Sequence, residues 1–206
     1  LTASFTPQVA IAVLAAGRST RSGPHHKLLA TLDGEPLVRI AARQALAAGA
    51  GPVMVITGHL ARDIAAALAG LPVTTRHNPD YASGMASSIA LAARSVPDGA
   101  AGLMIHLADM PLVTAAHMAA MVDMFATAGA KAIVRAAADG ARGNPVLFPR
   151  SQLPELIKLT GDAGARSVID SARLPVLPVE IGKAGALDVD TAEAVLAAGG
   201  RFPGGA

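Results

Sequence analysis

The chain has 206 residues, 52% hydrophobic but only 2% aromatic, with 17 basic and 15 acidic side chains for a net charge of +2. So small a charge, with no run of like charges and no Trp, gives a nucleic acid polymer neither a field nor a stacking platform; with no cysteine, any metal must be a hard ion held by oxygen. The first apolar stretch, about nine residues, falls short of the roughly 20 that cross a bilayer, so a soluble cytoplasmic protein with no membrane partner is expected.

Short β-branched and aliphatic runs alternate with Ala/Leu-rich segments of helical length, the pattern of a mostly parallel sheet between helical layers. The first strand, Val9–Leu14, leads through a Gly-containing loop to a helix over Pro36–Ala48, with Pro36 where a first turn tolerates a missing N–H. A strand at Val53–Thr57 and a helix at Ala61–Ala69 follow, then a strand at Val73–Thr75 and a helix at Met85–Arg94. Further on come a strand at Gly102–Leu107, a helix at Thr114–Thr127 capped by Thr114, and strands at Ala132–Arg135 and Val146–Phe148. Helices at Ser151–Leu159 and Ala165–Ser171, a strand at Val176–Ile181 and a helix at Thr191–Ala198 complete one α/β domain over 1–206, with a frayed Gly/Pro tail at 202–206.

Two regions carry chemistry. LAAGRSTRSGPHHKLL, from Leu14 to Leu29, has a phosphate-binding composition: Gly17 lets backbone N–H groups approach an anion, and Arg18, Arg21 and Lys27 add charge. The same composition also suits a solvated basic turn, and the Walker and dinucleotide glycine patterns are absent, which removes a dinucleotide oxidoreductase. In GLMIHLADMPLV an apolar strand ends at Asp109, where a carboxylate can hold Mg²⁺ together with water and substrate phosphates. Asp188 and Asp190 follow a second apolar segment; Asp190 suits a metal ligand or a helix cap completed by Glu193. His25 and His26 lack a third ligand and are expected to face solvent or an acceptor phosphate. His106 is expected to be packed or hydrogen-bonded in the core, and Met118, Met121 and Met124, at helical spacing, to be core residues.

Six blocks in order, LAAGRSTRSGPHHKLL, NPDYASGMASSIALA, LADMPLV, GNPVLF, LTGDAGAR and LDVDTAEAV, resemble the molybdenum cofactor nucleotidyltransferases, in particular the cytidylyltransferases. The resemblance covers nearly the whole chain and implies a three-layer α/β/α, Rossmann-like fold of the glycosyltransferase-A-like nucleotidyltransferase type. It implies that Lys27, Arg18 and Arg21 bind the triphosphate, that Asp109 holds Mg²⁺ with Asp190 as a second ligand, and that Lys27, Arg18 and Asp109 are catalytic. By the same resemblance Leu14, Ala15, Ala16 and Gly17 line the nucleotide, while Asn78, Gly84, Met85, Ser87 and Ser88 contact base, ribose or acceptor. The chain departs from the family pattern at Ser22, where Met is common, and at Asn144, where His is common and the block is expected to face the acceptor.

The implied reaction moves a nucleoside monophosphate from CTP to a molybdopterin-type acceptor for a molybdoenzyme client, releasing pyrophosphate. GTP or a sugar-phosphate acceptor is the nearest alternative. A non-catalytic module that delivers the cofactor is the alternative of another class.

Overall fold

The computed structural model describes residues 7–19, 26–161, 164–188, 196–197 and 199–202. The chain opens with β1 (Val9–Ala15) and continues through a small hairpin, β2 (Thr31–Leu32) and β3 (Glu35–Pro36), into α1 (Leu37–Ala47). The hairpin turns on Asp33 and Gly34, both at positive φ, +53° and +81°, the Asp-Gly signature of a type I′ turn. Next come β4 (Val53–Thr57), α2 (Ala61–Ala67), β5 (Thr74–His77), α3 (Met85–Arg94), β6 (Gly102–Leu107) and α4 (Ala115–Thr127). The remainder holds β7 (Ile133–Ala138), β8 (Ala141–Pro149), α5 (Leu153–Ile157), α6 (Arg166–Ser171) and β9 (Val176–Glu180).

Seven strands form one sheet in the order β5-β4-β1-β6-β8-β7-β9. β1 is parallel to both β4 and β6, and β7 to β9; β8 runs against its neighbours β6 and β7. Side chains of β1 alternate between two cores, as a strand's period of two requires. Val9, Ile11 and Val13 pack with α1, α2 and α4, through residues such as Ala42, Ile64 and Phe125. Ala10 and Ala12 face α3, where Ile89, Ala92 and Ala93 lie against them, and Phe148, Leu156 and Ile169 extend that core. The alanines on both sides of this second interface let helix and sheet approach closely, which is how a core with almost no aromatic residues fills its volume.

α4 carries a complete cap. Thr114 Oγ1 accepts from His117 N, and His117 Nδ1 accepts from Thr114 N, each at 3.3 Å, so His117 takes the part usually played by Glu. Gln44 Oε1 of α1 accepts from Ala115 N at 2.9 Å. Thr114→Ala is expected to lower unfolding free energy in urea by about 1 kcal/mol, the usual cost of a lost N-cap; an unchanged midpoint would mean that Gln44 suffices.

Several elements differ from the sequence reading. Pro36 closes β3 and precedes the helix rather than opening it. The segment read as a helix over Ser151–Leu159 is a 3-10 turn, Arg150–Gln152, and then α5, because Pro154 is accommodated only at the start of an α-helix. Met124 is exposed while Met118 and Met121 are buried: residues three apart slip by about 60° per step around a 3.6-residue helix, so the third turns away from the core. Phe202 does not fray. It packs against Ala30, Leu37 and Ile40, and Arg201 exchanges backbone hydrogen bonds with Thr31, each 2.7 Å. Asp190 and most of the segment 191–198 lie outside the described residues. No helix among the described residues is long and apolar enough to cross a membrane.

Candidate active site

β1, β4 and β6 are adjacent and parallel, so the loops after Ala15, Thr57 and Leu107 open on one edge of the sheet. This is the edge where an open α/β sheet collects ligands. The loop after β1 is stitched to its neighbour by His59 N, which donates to Ala16 O at 3.2 Å. Gly58 makes that approach possible: a Cβ there would lie 2.5 Å from Tyr81 Cβ and 2.8 Å from Ala16 O. Ser19 and Leu60, at φ +53° and +50°, hold left-handed conformations in the two loops, strain of the kind that accumulates at functional sites.

Lys27 and Asp109, 82 residues apart in sequence, meet at this edge. Lys27 Nζ donates to Asp109 Oδ2 at 2.5 Å, and the two side chains are only 12% and 16% exposed. Asp109 Oδ1 is buried and has no hydrogen-bond partner among the described residues. An orphaned carboxylate oxygen at the mouth of a sheet is a costly arrangement that a bound cation would relieve. Among the described residues no three acidic or imidazole groups converge as a metal cage. One carboxylate with an open oxygen therefore fits a magnesium-type ion, which draws most of its octahedron from water and phosphate.

His26 does not face solvent, contrary to the sequence reading. It is 7% exposed, its Nε2 lies 3.0 Å from Gly17 O, and its ring stacks on His59 at 5.7 Å. The buried ring sits where Nε2–H can satisfy the Gly17 carbonyl and its face meets His59. Burial lowers its pKa from the ordinary value, against an opposing effect of the Gly17 hydrogen bond. The aromatic run continues from His59 to Tyr81 at 6.1 Å, and the Arg18 guanidinium lies 5.6 Å over the Tyr81 ring. His59 and Tyr81 were not singled out from sequence; the glycine before His59 is the local signal that its loop makes a close approach.

Asn78 is buried and its side chain is fully engaged: Nδ2 donates to Ser87 Oγ at 2.9 Å and to Ser88 Oγ at 3.0 Å, while Oδ1 accepts from Asp80 N. Ser87 Oγ also reaches Asp80 O and Gly84 O. These residues fasten the start of α3 to the end of β5, with Gly84 at φ +112° as the corner. Met85 is exposed beside them. Leu14, Ala15 and Ala16 sit at the end of β1, and the space beside Gly17 is open, since a Cβ there would meet nothing within 4 Å. Arg21, Ser22 and His25 lie outside the described residues.

The family model of the MobA-like NTP transferase domain matches residues 11–176. Purine catabolism protein PucB of Bacillus subtilis is 30% identical over 190 residues, 87% of this chain and 90% of its own. Bifunctional protein GlmU of Halorhodospira halophila is 37% identical over 107 residues, 52% of this chain but 22% of that protein, so the chain spans about a fifth of that relative. Among solved structures, Rv0371c from Mycobacterium tuberculosis superposes with a TM-score of 0.81 at 27% identity, covering 94% of this chain and 98% of that one. The same protein in complex with manganese gives 0.73 at 26% identity, covering 89% and 92%. The matched residues run from within β1 to the first residue of β9 and include the whole edge just described; the chain belongs to the MobA-like NTP transferase family and is a nucleotidyltransferase.

Proposed function

We propose that the chain transfers the nucleoside monophosphate of CTP to a phosphate monoester on a molybdopterin-type acceptor, with Mg²⁺ and release of pyrophosphate. The observation that carries this reading is the Lys27–Asp109 pair, with the open Oδ1 of Asp109, at the edge where β1 and β6 end. The opening Ala15-Ala16-Gly17 favours cytidine, because the resembling nucleotidyltransferases pair an Ala-Ala-Gly opening with cytidine and a Gly-Gly opening with guanosine. Manganese in the Rv0371c complex supports a divalent ion.

A phosphate monoester arrives as an anion, so its oxygen needs positioning rather than deprotonation. The new bond forms between that oxygen and the α-phosphorus as the bond from the α-phosphorus to the pyrophosphate oxygen breaks. Lys27 and Arg18, joined by Arg21, offset the charge that builds on the α-phosphate and the leaving pyrophosphate. Asp109 would hold the cation, with Asp190 as a second ligand, and a bound divalent ion would supply Lewis-acid neutralisation of phosphate oxygens. Leu14, Ala15, Ala16 and Gly17 line the nucleotide. Asn78, Gly84, Ser87 and Ser88 act on the far side: their mutual hydrogen bonds make them positioning groups, leaving Met85 and backbone atoms to meet the ligand. His26 holds the Gly17 carbonyl in place.

The test is Mg²⁺-dependent pyrophosphate release from CTP and, separately, GTP, with molybdopterin or a sugar phosphate as acceptor. Release with CTP and molybdopterin is expected. Release only with GTP, or only with the sugar phosphate, would reassign the donor or acceptor; nucleotide binding with no release from either would favour the delivery module.

A further inference from the structure

A second charged site lies on the α3–α5–α6 face of the sheet, between the β7–β8 hairpin and α6. A cavity of about 360 Å³ there is lined by Arg135, Arg142, Ile169 and Asp170, with Val176 and Pro178 of β9 closing its outer wall. Arg135 is half-buried and its Nε donates to Gly143 O at 3.1 Å. Burial, and then the nearby charges of Arg142 and Arg166, push its pKa below the usual guanidinium range, with Asp170 opposing them. Asp170 is shared: Arg142 Nη1 lies 3.5 Å from Oδ1 and Arg166 Nε 3.4 Å from Oδ2. Arg135 and Arg142 line the cavity beside Asp170, and Arg166, on α6 outside the lining, pairs with the same carboxylate, so three guanidinium groups share one carboxylate and the local charge is positive.

The pocket is also built to keep its shape. At the tip of the hairpin Asp139 N and Gly140 N donate to Glu180 at 2.9 and 3.2 Å, and Gly182 N adds a third bond at 3.0 Å. These backbone bonds, Gly140's foremost, hold the Glu180 carboxyl below its ordinary pKa. Just past the turn, in the first third of β8, Gly143 lies so close to Gly185 that a Cβ would fall 2.3 Å from Gly185 O. Arg135 and Arg142 are thus presented on a hairpin anchored at its tip and just below it.

Its position fixes which anion it can serve. β8 runs antiparallel to β6, with Ile105 opposite Val146, so Arg142 lies towards the edge at which β6 delivers Asp109. Arg135, on β7, is two strands from β6 in the sheet, and at about 4.8 Å per strand spacing that is roughly 10 Å to the side. On the same face, the start of α3 touches the segment before α6 through Ala86 N and Gly161 O. A phosphate that attacks at Asp109 cannot simultaneously sit at Arg135.

We propose that Arg135 and Arg142, with Arg166 beside them on α6, bind a second anionic group of the acceptor, which at Arg135 lies about 10 Å or more to the side of the phosphate that attacks at Asp109. The acceptor is then an elongated molecule charged at both ends. This rests on the nucleotidyl-transfer reading for the identity of the ligand as acceptor, but the anion site stands on its own geometry.

The test has two arms, using Arg142→Ala/Arg166→Ala, whose side chains are largely exposed and whose loss leaves both cores intact. In the first, ¹⁵N-arginine-labelled protein is titrated with inorganic phosphate at constant ionic strength, and the Arg135 Nε–H signal is assigned by its loss in Arg135→Lys. A saturable shift of that signal is expected, at least tenfold weaker in the double variant. A drift shared by all arginines, or equal binding in the variant, overturns the site. In the second, the double variant is expected to raise KM for the acceptor at least tenfold with KM for the nucleotide unchanged. A rise in nucleotide KM instead overturns the acceptor assignment. Absence of transfer in the unsubstituted protein, with phosphate still saturating the Arg135 signal, sinks the transfer reading and the acceptor role while leaving the anion site.

Discussion

Asp109→Asn and Lys27→Ala are each expected to lower turnover by about a hundredfold or more, the scale of losing one preorganised electrostatic group from a transfer site. The asparagine keeps the shape of the carboxylate and removes its charge, so its one oxygen still accepts from Lys27 Nζ while an amide NH2 replaces the open oxygen and cannot hold a cation. Lys27→Ala leaves Asp109 charged and largely enclosed, so a loss of stability accompanies the loss of rate; breaking a buried pair from one side costs about 3 kcal/mol where burial is complete, and less here because both groups retain some solvent. Circular dichroism melts identify a temperature at which both variants are folded, and steady-state pyrophosphate release is measured there. Turnover within threefold of the unsubstituted protein in either variant would remove that residue from the chemistry.

His106→Leu is expected to abolish a pH dependence of stability. The His106 ring is fully buried in β6, both its nitrogens lack a partner among the described residues, and burial pushes its pKa down to about 4. In the unfolded chain the same group titrates near 6.5, so between these values the unfolded state binds a proton that the folded state refuses. Stability therefore falls as pH drops from 6.5 towards 4, by about 3 kcal/mol over the whole window and by about 2 kcal/mol between pH 7 and pH 5. Urea titrations of both proteins at pH 7 and pH 5 isolate this contribution, since His26, whose pKa is also lowered, is common to both. Equal pH slopes would mean that His106 finds a partner or water in solution.

The parts of the fold that sequence predicted to the residue are those where local pattern and tertiary role agree. β4, β6 and α3 are apolar runs with sharp polar or glycine boundaries, and each begins and ends where expected. β5 shifted by a residue or two because it is an exposed edge strand, Thr74–His77, with no buried face to pattern it. β8 was legible only over Val146–Phe148; its first half carries Arg142, which lines the cavity, and Gly143, which permits the close approach to Gly185, neither of them a residue of high strand propensity. The β2–β3 hairpin was missed although Asp33-Gly34 announces it, because two-residue strands offer no alternation to count. At the site, Lys27 and Asp109 were visible as residue types, but their contact across 82 positions was not. His26 was misread since nothing local distinguishes a histidine that closes onto a carbonyl nine residues back from one that points to water.

The reversal of β8 divides labour along the chain. The proposed donor-side residues between Leu14 and Asp109 follow strands that share one direction, whereas Arg142 and Asn144 lie on a strand that runs the opposite way. On the proposed reading the two groups sit on separate stretches of sequence, the second on a hairpin anchored by its own Glu180 clamp, so that a change in the acceptor pocket would leave the donor side undisturbed. If the hairpin holds the acceptor as proposed, a graft of residues 133–149 between two such enzymes is expected to move the acceptor preference from one to the other.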